Sequence, residues 1–433
     1  MIKTKLFKNI LSLGIIQLVN YIFPLITIPY VSRIIGPEGY GIINYATVFV
    51  GYFTLLIAYG FDLTATRRIA RFTNNKQEIN NIISEVLTAR IILFFISIFI
   101  FIISIIFFIP IQQDIRIPII LYIGSIAVVF SPQYIFQGFQ ELGIFAKMNF
   151  IKGILNTGLI FIVIKSSKDY YWIPILSSFF LIIINFFLFF YTIYRFDIKY
   201  KLISIRKALK LINAEKTIFF STVIISLYTS TNVIILGYFV SSKEIGYFTT
   251  SQNFLNIVIS LVSVPISTSL YPLVAKGFSV SKQHGLELIK KILPIIFYVT
   301  LLASLSVLFF APYIINFIYG NKFLDSIVIL RIISFLPFLV GISNVFGVQL
   351  MLNLGMDKLF FKTTLIAAVL GVILNIFMSK YYGYIGTAWN IIIIECFVTL
   401  IMYIALKKNK INVIEVKYFK PKQILLTLKN KSH

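Results

Sequence analysis

Residues 91–109 read IILFFISIFIFIISIIFFI, and that run decides what kind of protein this is. A helix needs ~20 mostly apolar residues to cover ~30 Å of hydrocarbon. Residues 91–109 and Trp172–Tyr194 reach that length with hardly a charge. The whole chain shares the character: 59% of residues are hydrophobic and 12% charged, and the mean hydropathy is +0.93. A water-soluble chain of this length has far more polar surface. Within a bilayer the backbone polar groups must bond to one another, so only helices or closed barrels span. A barrel would read as short alternating segments, whereas these runs are continuous. The expectation is an all-α integral membrane protein.

Working outward from 91–109, twelve apolar runs are expected to cross, at about 9–33, 40–62, 84–109, 117–138, 146–165, 171–194, 215–239, 246–272, 288–312, 326–352, 359–380 and 384–406. The charge pattern orients them. Lysines 3, 5 and 8, the stretch from Arg67 to Lys76, the stretch from Arg195 to Lys216, Lys276 to Lys291, and the lysines from 407 onward all fall on one side of twelve crossings. The alternate connections are short and poor in cations. Lys/Arg-rich connections stay in the cytoplasm, which puts both termini there. The net charge of +24 therefore sits beside anionic lipid headgroups, and nucleic acid is not an expected partner. The first run is too long for a signal-peptide core and contains Pro24 and Pro29, so it reads as a permanent helix. Cys396 is the sole cysteine and cannot form an internal disulfide.

The basic stretch near 195–215 divides the chain. The expected organisation is a six-helix bundle over 1–200, a second over 201–406, and a basic tail over 407–433. A faint repeat supports it: a shift of 205 places Gly41 on Gly246 and Phe49 on Phe254, and a shift of 212 places Leu142-Gly143 on Leu354-Gly355. Six is even, so the halves enter the membrane in the same orientation. Parallel repeats that rock about a midplane site are a transporter's arrangement.

Polar residues inside the runs are the candidate functional groups. Gln17 and Asn20 share a face of the first run, Asn44 lies in the second, and Thr229, Asn232, Gln252 and Asn256 lie in the seventh and eighth. Such stripes either bond helix to helix or line a wet cavity. Ionisable groups cost at least ~2.5–3.5 kcal/mol at the bilayer centre and need a reason. They are Arg33, Asp62, Glu85, Arg90, Lys152, Arg331 and Glu395. The cations can snorkel to an interface or attract a phosphate-bearing headgroup. Glu395 sits too deep to snorkel, so it pairs, stays neutral or faces water.

Three local patterns carry a resemblance. The first is Pro29-Tyr30-Val31-Ser32-Arg33-Ile34-Ile35-Gly36-Pro37-Glu38-Gly39-Tyr40-Gly41, the second Ser131-Pro132-Gln133-Tyr134-Ile135-Phe136-Gln137-Gly138-Phe139-Gln140-Glu141. The third runs from Leu354-Gly355 and Lys358 through Asn375 to Gly383-Tyr384-Ile385-Gly386-Thr387-Ala388. Their order and spacing resemble the Wzx-type O-antigen/polysaccharide flippases of the multidrug/oligosaccharidyl-lipid/polysaccharide exporter superfamily. This chain departs from the family pattern at Tyr134, where Trp is usual, at Glu141, displaced by one, and at Thr387, in place of Ala. The resemblance implies two six-helix bundles arranged as a V. It also implies a substrate of undecaprenyl-pyrophosphate-linked oligosaccharide, moved from the cytoplasmic to the periplasmic leaflet of the inner membrane. Membrane lipids, a proton or other ion, and the polymerase and chain-length regulator of the same pathway are the partners it implies.

On that reading Arg33, Arg90, Lys152 and Arg331 attract the headgroup. Gln17, Asn20, Asn44, Gln133 and Gln137 bond sugar, and Asp62, Glu85 and Glu395 couple an ion. No cofactor is expected: no Lys-bearing Gly loop cradles phosphate, and His284 and His433 are the only histidines. The chain reads as a transporter and not an enzyme. A cation-coupled drug exporter of the same superfamily is the first alternative, and a membrane glycan polymerase or transferase the second.

Overall fold

The computed structural model describes residues 2–73 and 75–420, with side chains described from Ile22 onward except at 228, 264–266, 268 and 269. Gln17 and Asn20 therefore lie outside the described side chains, and the tail beyond 420 lies outside the described residues. The described chain is all helix and connection, with no strand among the described residues. The α-helices are α1 (Ile2–Ala58), α2 (Phe61–Arg71), α3 (Lys76–Phe107), α4 (Arg116–Gly124), α5 (Ile126–Val129), α6 (Gln133–Gly138), α7 (Gly143–Val163), α8 (Trp172–Phe196), α9 (Ile205–Thr229), α10 (Thr231–Leu236), α11 (Ser242–Val280), α12 (Lys282–Ile314), α13 (Ser326–Ile333), α14 (Leu336–Asn344) and α15 (Asp357–Lys408).

Eight stretches of the described residues are long and apolar enough to cross a bilayer. Two of them, Ile22–Arg71 and Asp357–Lys408, hold 50 and 52 residues. At 1.5 Å per residue each is ~75 Å long, over twice the hydrocarbon thickness. Both are broken where the sequence puts a boundary between two runs. Gly36 has φ 70°, ψ 179°, and Gly383 has φ 56°, ψ −140°. A side chain rarely adopts either conformation, so glycine makes each turn. Counting those two stretches as double, and adding α9 and α11, the arrangement is consistent with twelve crossings.

Polar caps fix where the helices start. Asn75 accepts from the Glu78 N–H at 3.1 Å at the head of α3. Ser241 and Glu244 form a reciprocal capping box on α11. Once inside the apolar run, side chains are left facing outward: Phe95, Phe99 and Phe107 are 65%, 67% and 76% exposed. Such a surface suits hydrocarbon and not water. This is a multi-pass membrane protein.

The chain forms two compact units, Met1–Ser226 with Ile318–Lys322, and Leu227–Phe317 with Phe323–His433. The first packs around Phe61, Ile69, Ile82, Ile83 and Ile135, contributed by α2, α3 and α6. The second packs around Ile289, Leu293, Val345, Leu350, Ala367 and Leu406, from α12, α15 and the π-helical stretch Val345–Met351.

Candidate functional site

Each unit contains a polar cluster that includes expected site residues. In the first, α2, α3 and the break before α6 converge on Arg90. Its side chain is 1% exposed. Nη2 donates to Asp62 Oδ1 at 2.8 Å and Nη1 to the Ser131 carbonyl at 2.9 Å, and the guanidinium lies over the Tyr134 ring, 5.2 Å from its centroid. Asp62 is half-exposed on its outer side. One turn on, Thr66 donates to the Asp62 carbonyl and to Gln137 Oε1. Glu85 accepts from Arg68 at 2.7 Å. Gly138 permits this convergence: a methyl there would meet Ile69 Cγ2 at 2.6 Å.

The second cluster lines a cavity of about 230 Å³ wholly within the second unit. Thr229 and Asn232, Gln252 and Asn256, and Asn390 and Glu395 face it from α9 and α10, α11 and α15. Glu395 is 5% exposed and accepts from Ser343 Oγ at 2.7 Å. Behind the cavity wall, Asn390 Nδ2 donates to Asn232 Oδ1 at 3.1 Å and Asn375 Nδ2 to the Asn232 carbonyl at 3.3 Å. Ser379 bonds Asn375 Oδ1 and Thr387. Asn390 Oδ1 is buried without a partner among the described residues. A buried carboxyl and an unsatisfied carbonyl facing a void that can hold water suit a proton or a small cation, or the hydroxyls of a polar solute.

The other expected site residues are dispersed. Arg33 is exposed, and its backbone carbonyl accepts from Lys322 Nζ. Lys152 is half-buried on α7 and Arg331 is exposed on α13, neither with a side-chain partner among the described residues. Asn44 Nδ2 turns back to the Tyr40 carbonyl at 2.7 Å. Gln133 is half-exposed at the head of α6. Arg90 and Asp62, read from the sequence as separate groups, are one ion pair. Sequence reading does not single out Asn390 or Ser343. The available signal is helical spacing: Asn390, Ile391, Ile394 and Glu395 all line the same cavity, so they share a face of α15.

The motif residues serve mainly as structure. Ser32 Oγ donates to the Tyr319 carbonyl at 3.4 Å, Tyr30 OH to the Ile164 carbonyl at 2.7 Å, and Arg195 to Glu141 at 3.1 Å. A methyl on Gly386 would collide with the Met378 carbonyl.

Residues 6–278 match the family described as polysaccharide biosynthesis protein. The chain belongs to that family. Curated relatives agree in length. A protein of Escherichia coli (strain K12) named "Putative O-antigen transporter" is 27% identical over 94% of this chain and 98% of its own. One of Shigella dysenteriae with the same name is 25% identical over 92% and 100%. Among solved structures, "Lipid II flippase MurJ, inward closed conformation" superposes with a TM-score of 0.71 at 16% identity, over 98% of this chain and 89% of that one. An inward-facing multidrug resistance MATE family transporter of the MOP superfamily gives 0.64 at 16% identity, over 93% and 98%. This member of the polysaccharide biosynthesis family thus shares the fold of those proteins.

Proposed function

We propose that the protein carries undecaprenyl-pyrophosphate-linked oligosaccharide units across the bacterial cytoplasmic membrane by alternating access, supplying O-antigen or a related surface glycan, with both termini in the cytoplasm. Family membership carries this reading. The physical difficulty is the headgroup: unpaired polar groups cost several kcal/mol each in hydrocarbon, and charges more. Arg33, Lys152 and Arg331 are the cations proposed to draw the pyrophosphate, with Asn44, Gln133, Gln137, Gln17 and Asn20 bonding sugar. Arg90 is already engaged by Asp62 and Ser131, so we assign it the role of positioning Asp62. Asp62, Glu85 and Glu395 are the proposed ion-coupling carboxylates. Glu395 is the strongest of them, because it is buried and lines the polar cavity of the second unit.

The test is complementation in a strain lacking its own flippase but carrying the matching glycan genes. The native chain should restore the surface glycan ladder, and Arg33→Ala with Arg331→Ala should abolish it at unchanged protein level. An unrestored ladder with gained drug resistance would replace this reading with the drug exporter. A normal ladder in the double variant would remove those two arginines from the site.

A further inference from the structure

A second cavity in the Leu227–Phe317 and Phe323–His433 unit has no part in the reading above. It holds about 410 Å³, and no polar surface lines it. Its walls include Phe297 from α12, Phe338 and Ile342 from α14, and Leu400 and Tyr403 from α15. Its rim is made by the segment that follows α15, through Ile414, Val416 and Phe419.

That segment is tied down. Ile411 and Val413 are 4% and 1% exposed. Glu415 pairs with Lys290 of α12, Tyr298 OH donates to the Phe419 carbonyl at 3.2 Å, and the Phe297 and Phe419 rings meet edge-on at 5.5 Å. A strap thus crosses α12 beyond the end of α15 and borders an apolar hollow. The hollow lies within about two turns of Lys290 and Lys291 on α12, and one to two turns inside the end of α15 marked by Lys407 and Lys408. Those lysines belong to the side that the lysine-rich connections assign to the cytoplasm. Lys291 on α12, Lys407 and Lys408 at the end of α15, and Lys410, Lys417 and Lys420 along the strap are exposed. Glu415 is the acidic group of the strap, and it is taken by Lys290 and Lys417.

An apolar slot whose strap and flanking helices carry exposed ammonium groups has the chemistry of one molecule that is apolar at one end and anionic at the other. We propose that this slot is a binding site for an anionic phospholipid of the cytoplasmic leaflet, one acyl chain lying between Phe338 and Leu400 and the phosphate resting among the strap lysines. Charge selects the occupant. A zwitterionic lipid could fill the slot equally well but gains nothing from the lysines.

The test places a fluorophore in the slot. Trp172→Phe and Trp389→Phe remove the native indoles, and Phe338→Trp supplies one beside Phe297. The protein is reconstituted with phosphatidylglycerol or phosphatidylcholine brominated on the acyl chain, each at the same mole fraction in an unbrominated phosphatidylcholine background. Brominated phosphatidylglycerol should quench at least twofold more strongly. Lys407→Gln, Lys408→Gln and Lys417→Gln together should abolish the preference while leaving quenching by phosphatidylcholine in place. Equal quenching by both lipids in the unaltered strap would overturn the proposal. So would quenching by neither lipid until the chain is ended after Lys420, because residues 421–433 would then be the occupant. If Phe338→Trp does not fold, Leu400→Trp reads the same slot from α15.

Discussion

Arg90 Nη2 donates to Asp62 Oδ1 at 2.8 Å, joining a side chain 1% exposed to one 41% exposed. The two partners therefore depend on the bond unequally. Without Arg90, Asp62 turns toward solvent. Without Asp62, a full positive charge stays buried with only the Ser131 carbonyl and the Tyr134 ring to receive it.

Stability should follow that inequality. Breaking a buried ion pair costs about 3–5 kcal/mol when it strands a charge, so Asp62→Ala should cost about 3 kcal/mol or more. Arg90→Met, which fills the volume and strands only a carbonyl, should cost about half as much. Thermal unfolding of the purified protein in one detergent gives the comparison. An equal loss in the two variants would mean that Arg90 finds another counter-charge.

The helices were legible in the sequence because a bilayer imposes one dominant rule, apolar runs of fixed length. The breaks were legible too, since Gly36 and Gly383 fall between runs that the hydropathy separates. The site was only partly so. Arg90 and Glu395 announce themselves as charges in apolar surroundings, but what they bond does not. The partner of Arg90 lies 28 residues away on another helix, and that of Glu395 lies 52 away and is a serine, Ser343. No periodicity encodes such a pairing. The motif glycines and Ser131 mark where helices end or press together, which is a packing requirement, and so they point to the fold more than to the substrate.

Asp114, in the connection between α3 and α4, accepts from Arg116 Nε at 2.8 Å and Nη2 at 2.9 Å, and from Tyr170 OH. The Arg116 guanidinium is the main reason its carboxyl is held below the usual carboxylate range, with Tyr170 adding to it. A folded-state value below the unfolded one means that the stabilisation is fully present above the unfolded value of ~3.9 and is lost as pH falls through the folded value. This group should thus contribute a constant stabilisation between pH 7 and about 5, leaving the unfolding temperature flat there on its account, and the temperature should drop on further acidification. Asp114→Asn should lower the neutral-pH value and shrink the acid drop. An acid limb identical to the native one would show that the connection is not strengthened by this ion pair.

Glycine substitutions should divide by backbone conformation. Gly36→Ala and Gly383→Ala force a Cβ into positive φ, at about 1–3 kcal/mol each. Gly51 sits within α1 with nothing within 4 Å of an added methyl, so Gly51→Ala should raise stability by up to ~1 kcal/mol through helix propensity. Unfolding temperatures of the three single variants decide it. A loss at Gly51 as large as that at Gly383 would mean that the open space beside Gly51 is used.

Glu395→Gln keeps an oxygen to accept from Ser343 and nearly the same volume, but it can carry neither a proton nor a negative charge. If Glu395 couples an ion to translocation, this variant should fold with native stability and still exchange substrate down its gradient. It should lose at least tenfold of any acceleration produced by an imposed proton or sodium gradient in proteoliposomes. Glu395→Leu should in addition lose stability, because Ser343 Oγ would then keep only the longer 3.2 Å bond to the Val340 carbonyl. The pair of variants separates coupling from packing. A Gln variant that answers the gradient as the native protein does would take Glu395 out of the coupling step and leave it a structural partner of Ser343.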